Sequence, residues 1–388
     1  MQTWALMVDS YRLLVSRKLF WITLAISGVL LLVYASVGYD EHGVTVLFGA
    51  LSFEDESLRP GSVFAKVHYI DIFTGKFMPL WLSWGAIILA LISTSSIFPD
   101  FIANGSIDVV LSKPIGRLKV FFVKYIGAVL FVLLQIAIFC VGAFFCIGLR
   151  VGEWNFNIFL AIPLILALFS YLYCINVFLA ILTRSMIASL LLTFLFWFVI
   201  FGVQTTDVMV NLVGRHMSIV TAERAERDVT ILERQLEILE GRSDTNLQPR
   251  IAQLREQVAT AKEDSTRANE NRDDWVAFYK VAQVVIAITP KTQDTTNLFR
   301  NMTLEGFNES VAAEQGESLD QMQANAMAAG FQGMYANDPK KMEYMNEAAR
   351  RFLVEKKKNG PWYVVGSSLG FEAVVLLITC WIFKRRDF

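Results

Sequence analysis

The chain has 388 residues, 54% of them hydrophobic and only 18% charged, with a formal net charge of −1. Soluble domains carry about 25% charged residues, so the deficit points to lipid as the main solvent. The absence of a basic excess argues against a nucleic-acid partner, because phosphate binding needs clustered cations. Most of the charge crowds between Arg215 and Lys358, which implies a membrane body with one water-facing insertion.

The first nineteen residues form their own element. Trp4, Met7, Tyr11 and Leu14 recur at helical spacing, with Asp9, Arg12 and Lys18 on other faces. The pattern suits a helix lying in the membrane interface (residues 1–19), or else an early start to the first crossing. A signal peptide is not expected, since the apolar run that follows is too long and lacks a small-residue cleavage site.

A crossing helix needs about 20 apolar residues. Six stretches qualify: Phe20–Val37, Phe77–Phe98, Tyr125–Leu149, Phe156–Leu182, Met186–Val203 and Trp362–Phe383. Pro79 and Pro163 are expected near the starts of their helices, where a missing N–H is tolerated. The loop from Gly38 to Lys76 is long enough for a small ordered structure. The fold class is therefore an all-α polytopic membrane protein, with crossings one to five in residues 20–203 and the sixth in 362–388. With both termini placed in the cytoplasm, the inner segments hold eleven Lys or Arg, among them Arg12, Lys113, Arg117, Arg184 and Lys384–Arg386. The short outer loops hold only Arg59, Lys66, Lys76 and Arg150. That asymmetry sets the orientation, although Lys356–Lys358 oppose it from the end of the long insertion.

Residues 204–361 form a large extracytoplasmic α-helical insertion in this reading. Ala225, Val229, Leu232, Leu236 and Leu239 make one apolar seam, and Leu247, Ile251, Leu254, Val258 and Ala261 make a second. With Gly241, Ser243, Asp244 and Asn246 between them, the two seams predict an antiparallel coiled-coil hairpin over 220–270. Trp275–Ile288 reads as a short interfacial or re-entrant helix ended by Pro290, and Leu319–Val354 as Met-rich helices broken near Gly330, Gly333 and Pro339. The hairpin either contacts an outer partner or serves as a spacer, since heptads promise a helical neighbour without naming it.

Catalytic signatures are missing. The sequence holds no G-x-x-x-x-G-K-[ST] phosphate loop, no H-E-x-x-H and no G-x-S-x-G. The four cysteines (Cys140, Cys146, Cys174, Cys380) sit in apolar runs without metal-ligand spacing, and His42, His68 and His216 are scattered. No metal, bound cofactor or enzyme activity is expected of this chain.

The informative segment is 99–124. Gly105 breaks the second crossing, Ser106–Leu111 can make a short helix, and the Lys113–Pro114 step ends it. Lys113, Arg117, Lys119 and Lys124 add a cationic rim. The order Asp100, Gly105, Ser112, Pro114, Arg117, Lys124 resembles the loop between the second and third crossings of type-2 ATP-binding-cassette permeases. The run Arg17-Lys18-Leu19-Phe20, the turn Thr183-Arg184-Ser185 and the tail Lys384-Arg385-Arg386-Asp387-Phe388 are similar to the same family. One departure is Phe101-Ile102-Ala103-Asn104, which is nearly neutral where family members carry more charge.

The resemblance implies an exporter permease in a bacterial inner membrane, paired with a second permease copy and two cytosolic ATPase subunits that hold the ATP and Mg. Asp100, Asn104, Gly105, Asp108, Ser112, Lys113, Pro114, Arg117 and Arg184 would then contact the ATPase, with 104–111 as the coupling helix. The bland alternative for the loop is a headgroup anchor. A scaffold or sensor that recruits a partner through its coiled coil is the alternative function. Glu372, in the middle of the last crossing, either faces a substrate path or subunit interface, or is satisfied by a neighbouring helix or by Ser367 or Ser368. Gln135, Tyr171, Tyr173 and Asn176 are weaker candidates to line such a path.

Overall fold

The computed structural model describes residues 18–41, 43–54, 60–103, 116–242, 247–315, 318–335, 338–358 and 360–385. It divides into two compact units. One comprises Met1–Phe201, Thr289–Gln315 and Pro361–Phe388; the other comprises Gly202–Ile288 and Gly316–Gly360.

Among the described residues, six helical stretches are long and apolar enough to cross a membrane. The first is α1 (Lys18–Ala35), which begins with the last residues of the expected interfacial helix; residues 1–17 lie outside the described chain. The second runs from α2 (Val63–Ile72) through a π-helical stretch (Phe73–Ala86) into α3 (Ile87–Thr94) and α4 (Ile97–Ala103). The others are α5 (Arg117–Val151), α6 (Ala161–Thr183) after a 3₁₀ turn at Phe156–Leu160, α7 (Met186–Val208), and α14 (Pro361–Arg385). Leu32, Leu80, Leu149, Ile187, Phe198 and Leu377 stand exposed on these helices, a distribution that only lipid can solvate cheaply.

Two expectations change here. Pro79 lies inside a helical rod, not at its start, because the helix begins at Val63 rather than Phe77. The wide i→i+5 turns of Phe73–Ala86 absorb the missing N–H and the ring that would clash with the preceding turn. Pro163 does sit in the first turn of α6. The all-α class has one exception in a three-stranded antiparallel sheet, β1 (Gly38–Asp40), β2 (Gly43–Val46) and β3 (Leu51–Glu54), within the loop expected to be ordered.

Aromatic rings hold the membrane unit together. Tyr34 of α1 and Tyr69 of α2 stack at 4.5 Å, and each hydroxyl donates to the other's backbone carbonyl, at 3.0 and 3.1 Å. Both are fully buried. Phe73 packs on Phe139 of α5, and Phe98 on Phe121. Without a hydrophobic force between helices in lipid, close packing of this kind and interhelical hydrogen bonds supply the cohesion.

Helix α10 (Thr292–Gln315) belongs to this same unit, so the segment between the fifth and sixth crossings is not one continuous domain. It packs on α2, the π-helical stretch, α6 and α14. Phe299 is its buried anchor, and Arg300 pairs with Asp71 at 2.8 Å. Asn155 and Asn157 donate to the carbonyls of Thr303 and Met302.

In the other unit, α8 (Met217–Glu240) pairs with α9 (Gln248–Ile288) as the heptads require. Glu240 meets Arg255, Glu233 meets Lys262 and Glu226 meets Asn269, a progression that makes the pair antiparallel. Ile251, Leu254 and Val258 are buried in the seam. The stretch Trp275–Ile288 is not a separate helix. It is the last third of α9, with Phe278, Val281, Val284, Val285 and Ile288 exposed along one side. Helices α11 (Leu319–Ala329), α12 (Gln332–Tyr335) and α13 (Pro339–Lys358) follow, with breaks near Gly330 and before Pro339. Ala324, Ala328, Met345, Ala348, Ala349 and Phe352 form their core.

Candidate functional site: a helix-end loop base and a buried polar seam

The two sides of the 99–124 loop meet at one end of the membrane unit. Asp100 is exposed on α4, Phe98 packs on Phe121 at 5.2 Å, and the Lys124 ammonium lies over the Phe101 ring at 4.6 Å. Arg117 opens α5, capped by Gly116 in an extended conformation. Arg184 holds the left-handed turn (φ 55°) between α6 and α7. Since Tyr125 stacks on Tyr173 and Phe144 packs on Phe159, α5 and α6 run antiparallel, which brings Arg184 to the same end as Arg117. Phe383 on Phe121 brings the end of α14 there too. Asn104, Gly105, Asp108, Ser112, Lys113 and Pro114 lie outside the described residues.

Deeper in the bundle, Glu372 is buried among three helices. The Tyr125 hydroxyl donates to its Oε1 at 2.7 Å, and the Ser170 hydroxyl contacts its Oε2 at 2.8 Å. The Tyr125 hydroxyl also lies 3.3 Å from the Ser170 carbonyl, and Tyr173 stacks on the Tyr125 ring. An ionisable group at this depth needs such partners, because unsatisfied polar atoms in hydrocarbon are costly.

Ser367 and Ser368, the expected same-helix partners of Glu372, are engaged elsewhere. Ser368 Oγ accepts from the Lys291 backbone N–H at 2.9 Å, and Lys291 Nζ contacts Ser367 Oγ at 3.1 Å while lying over the Tyr363 ring. Buried Thr292 and Thr295 continue this polar strip, and Thr296 reaches Ser83 at 3.3 Å. Ser368 and Glu372 thus mark a polar face of α14, one turn apart, with Lys291 docked on it from the segment before α10.

Gln135 and Asn176 do not join it. Gln135 borders a small void of about 10 Å³, room for one water at most, and its Nε2 has no partner among the described residues. Asn176 donates to Thr193 Oγ1 at 3.2 Å, tying α6 to α7. Tyr125, Ser170 and Lys291 escaped sequence reasoning because nothing local marks them: Tyr125 and Glu372 lie 247 residues apart.

Comparison with known protein families, curated proteins and solved structures finds no match to this chain. Among the described residues, no group of three His, Cys, Asp or Glu side chains converges as a metal site would.

The helical insertion concentrates ion pairs instead. Arg351 holds Glu223 through two hydrogen bonds, at 2.8 and 2.7 Å, and also reaches Glu347 at 2.7 Å. Arg224 takes the other oxygen of Glu347 at 2.7 Å, and Arg215 holds both oxygens of Glu355, at 2.8 and 2.9 Å. Burial alone would raise the Glu347 and Glu355 carboxyls. The arginine hydrogen bonds and charges outweigh it, so both end below the usual carboxylate range.

Proposed function

We propose that the chain is the membrane-spanning subunit of an ATP-driven exporter whose ATPase is a separate polypeptide. The observation that carries this reading is the loop pattern from Asp100 to Lys124, together with a base in which the two sides of that loop pack on each other at the same end of the bundle as Arg184. A short helix held at such a base can pass force from a soluble partner into the second and third crossings. In this proposal that end faces the cytoplasm, where Lys18, Arg117, Lys119, Lys124, Arg184, Lys384 and Arg385 satisfy the positive-inside preference. The insertion then lies outside the cell, and the seam from Lys291 to Glu372 borders the path that the rocking helices open.

Purification from the native membrane should capture a soluble chain with a phosphate-binding loop. The double charge reversal Lys113→Glu with Arg117→Glu should abolish both capture and transport. Unchanged capture, or labelling of Ser112→Cys from the far side of the membrane, would overturn the coupling role. The scaffold alternative predicts the reverse dependence, on residues 225–261 and not on the loop.

A further inference from the structure

The helical insertion contains a groove that the transport reading does not use. It encloses about 1180 Å³ between the start of α8, α11 and α13, entirely within one unit. Its walls hold five Arg or Lys side chains against three Glu. All three carboxylates are already engaged: Glu355 by Arg215, Glu347 by Arg224 and Arg351, and Glu343 by Arg224. Those pairs fix the walls and leave a cationic remainder.

That remainder is specific. Arg350 and Lys358 line the groove, yet neither forms an ion pair among the described residues. They stand eight residues apart on α13, about 12 Å along the axis, on a stripe with Asn346 and Val354 at steps of four. Asn325 on α11 adds a second amide to the lining. A carboxylate network that consumed every cation would make this a structural zipper alone. Two cations without an ion pair among the described residues, beside the Asn346 amide, instead form a receptor for acidic oxygens.

We propose that this groove binds a phosphate-bearing ligand, with Arg350 and Lys358 meeting its charge and Asn346 its remaining oxygens. Phosphate suits the site better than a lone carboxylate because it offers three or more acceptors to a guanidinium, an ammonium and an amide. The ligand could be a soluble phosphate ester or the headgroup of an anionic lipid, since Lys358 stands three residues before the apolar helix that opens at Pro361. The proposal does not depend on the exporter reading.

The test is calorimetric titration of the full chain, in neutral detergent, with pyrophosphate. Saturable one-to-one binding is expected, weakening as salt rises. Arg350→Gln combined with Lys358→Gln should weaken it at least about tenfold, as loss of charge-assisted contacts requires. The unfolding temperature should not move, because neither side chain holds an ion-pair partner among the described residues. Arg234→Gln, on the hairpin away from the groove, should bind as the unaltered chain does. No saturable binding, or equal binding by the double variant, would overturn the assignment. Repeating the titration in bilayer discs separates the sources. Loss of pyrophosphate binding in phosphatidylglycerol but not phosphatidylcholine identifies the lipid headgroup, and equal binding in both identifies a soluble ligand.

Discussion

In the membrane unit Tyr34 and Tyr69 trade hydrogen bonds with each other's carbonyls, and Glu372 finds its partners in two hydroxyls, whereas in the insertion Glu223, Glu347 and Glu355 are each met by an arginine. The difference follows from the solvent. A guanidinium carried into hydrocarbon loses hydration that a single carboxylate cannot replace, so neutral donors serve better there. Where water reaches one side of the pair, the same ion pair holds helices in register at little desolvation cost. The ion pairs of the membrane unit keep to its ends, as Lys66 with Glu153 and Arg300 with Asp71 illustrate.

The sharpest way to break this comparison is to remove an aromatic ring from the membrane unit. Tyr69→Ala loses a stacked, fully buried ring and the hydrogen bond that its hydroxyl donates to the Tyr34 carbonyl, and should destabilise the unit by about 3–5 kcal/mol. Tyr69→Phe keeps the ring and should cost only about 1 kcal/mol. Thermal unfolding in detergent reads both. Similar losses for the two variants would show that the hydroxyls, not the packing, hold α1 to α2.

A smaller effect is expected in the insertion. Arg351→Met leaves Glu223 and Glu347 without their shared cation, at a cost of about 2–3 kcal/mol for this half-exposed network. Limited proteolysis within residues 202–288 and 316–360 should accelerate, while cleavage of the membrane unit stays unchanged. Faster cleavage throughout would mean that the two units unfold as one.

Mild acid should separate the units more gently still. Glu347 and Glu355 have folded pKa values below that of an unfolded glutamate, about 4.3. Their contribution is therefore complete above that value and is lost as pH falls through the folded values. Helicity of the insertion should decline below about pH 4. The Tyr34–Tyr69 lock contains no carboxylate and should persist, as tyrosine near-ultraviolet dichroism would report.

Much of the architecture was legible because it rests on local pattern. Six apolar lengths can be counted in the sequence, and the seams through Leu232 and Leu254 predict an antiparallel hairpin. The second crossing was harder. Its polar first turns, from Val63 to Lys76, look like loop until α10 covers them and Arg300 takes Asp71. Likewise Trp275–Ile288 resembled a separate element because its apolar content changes, although the backbone runs straight through.

Hydropathy and heptad spacing are properties of neighbouring residues, so the sequence by itself determined that this chain carries six helices long and apolar enough to cross a membrane, and a paired-helix insertion. The partners of Glu372, the return of α10 to the membrane unit and the surplus cations of the α13 groove were decided only in three dimensions. Each depends on which faces of distant helices turn toward one another. That choice is made by the packing of rings and the matching of donors across hundreds of residues, and no local window records it.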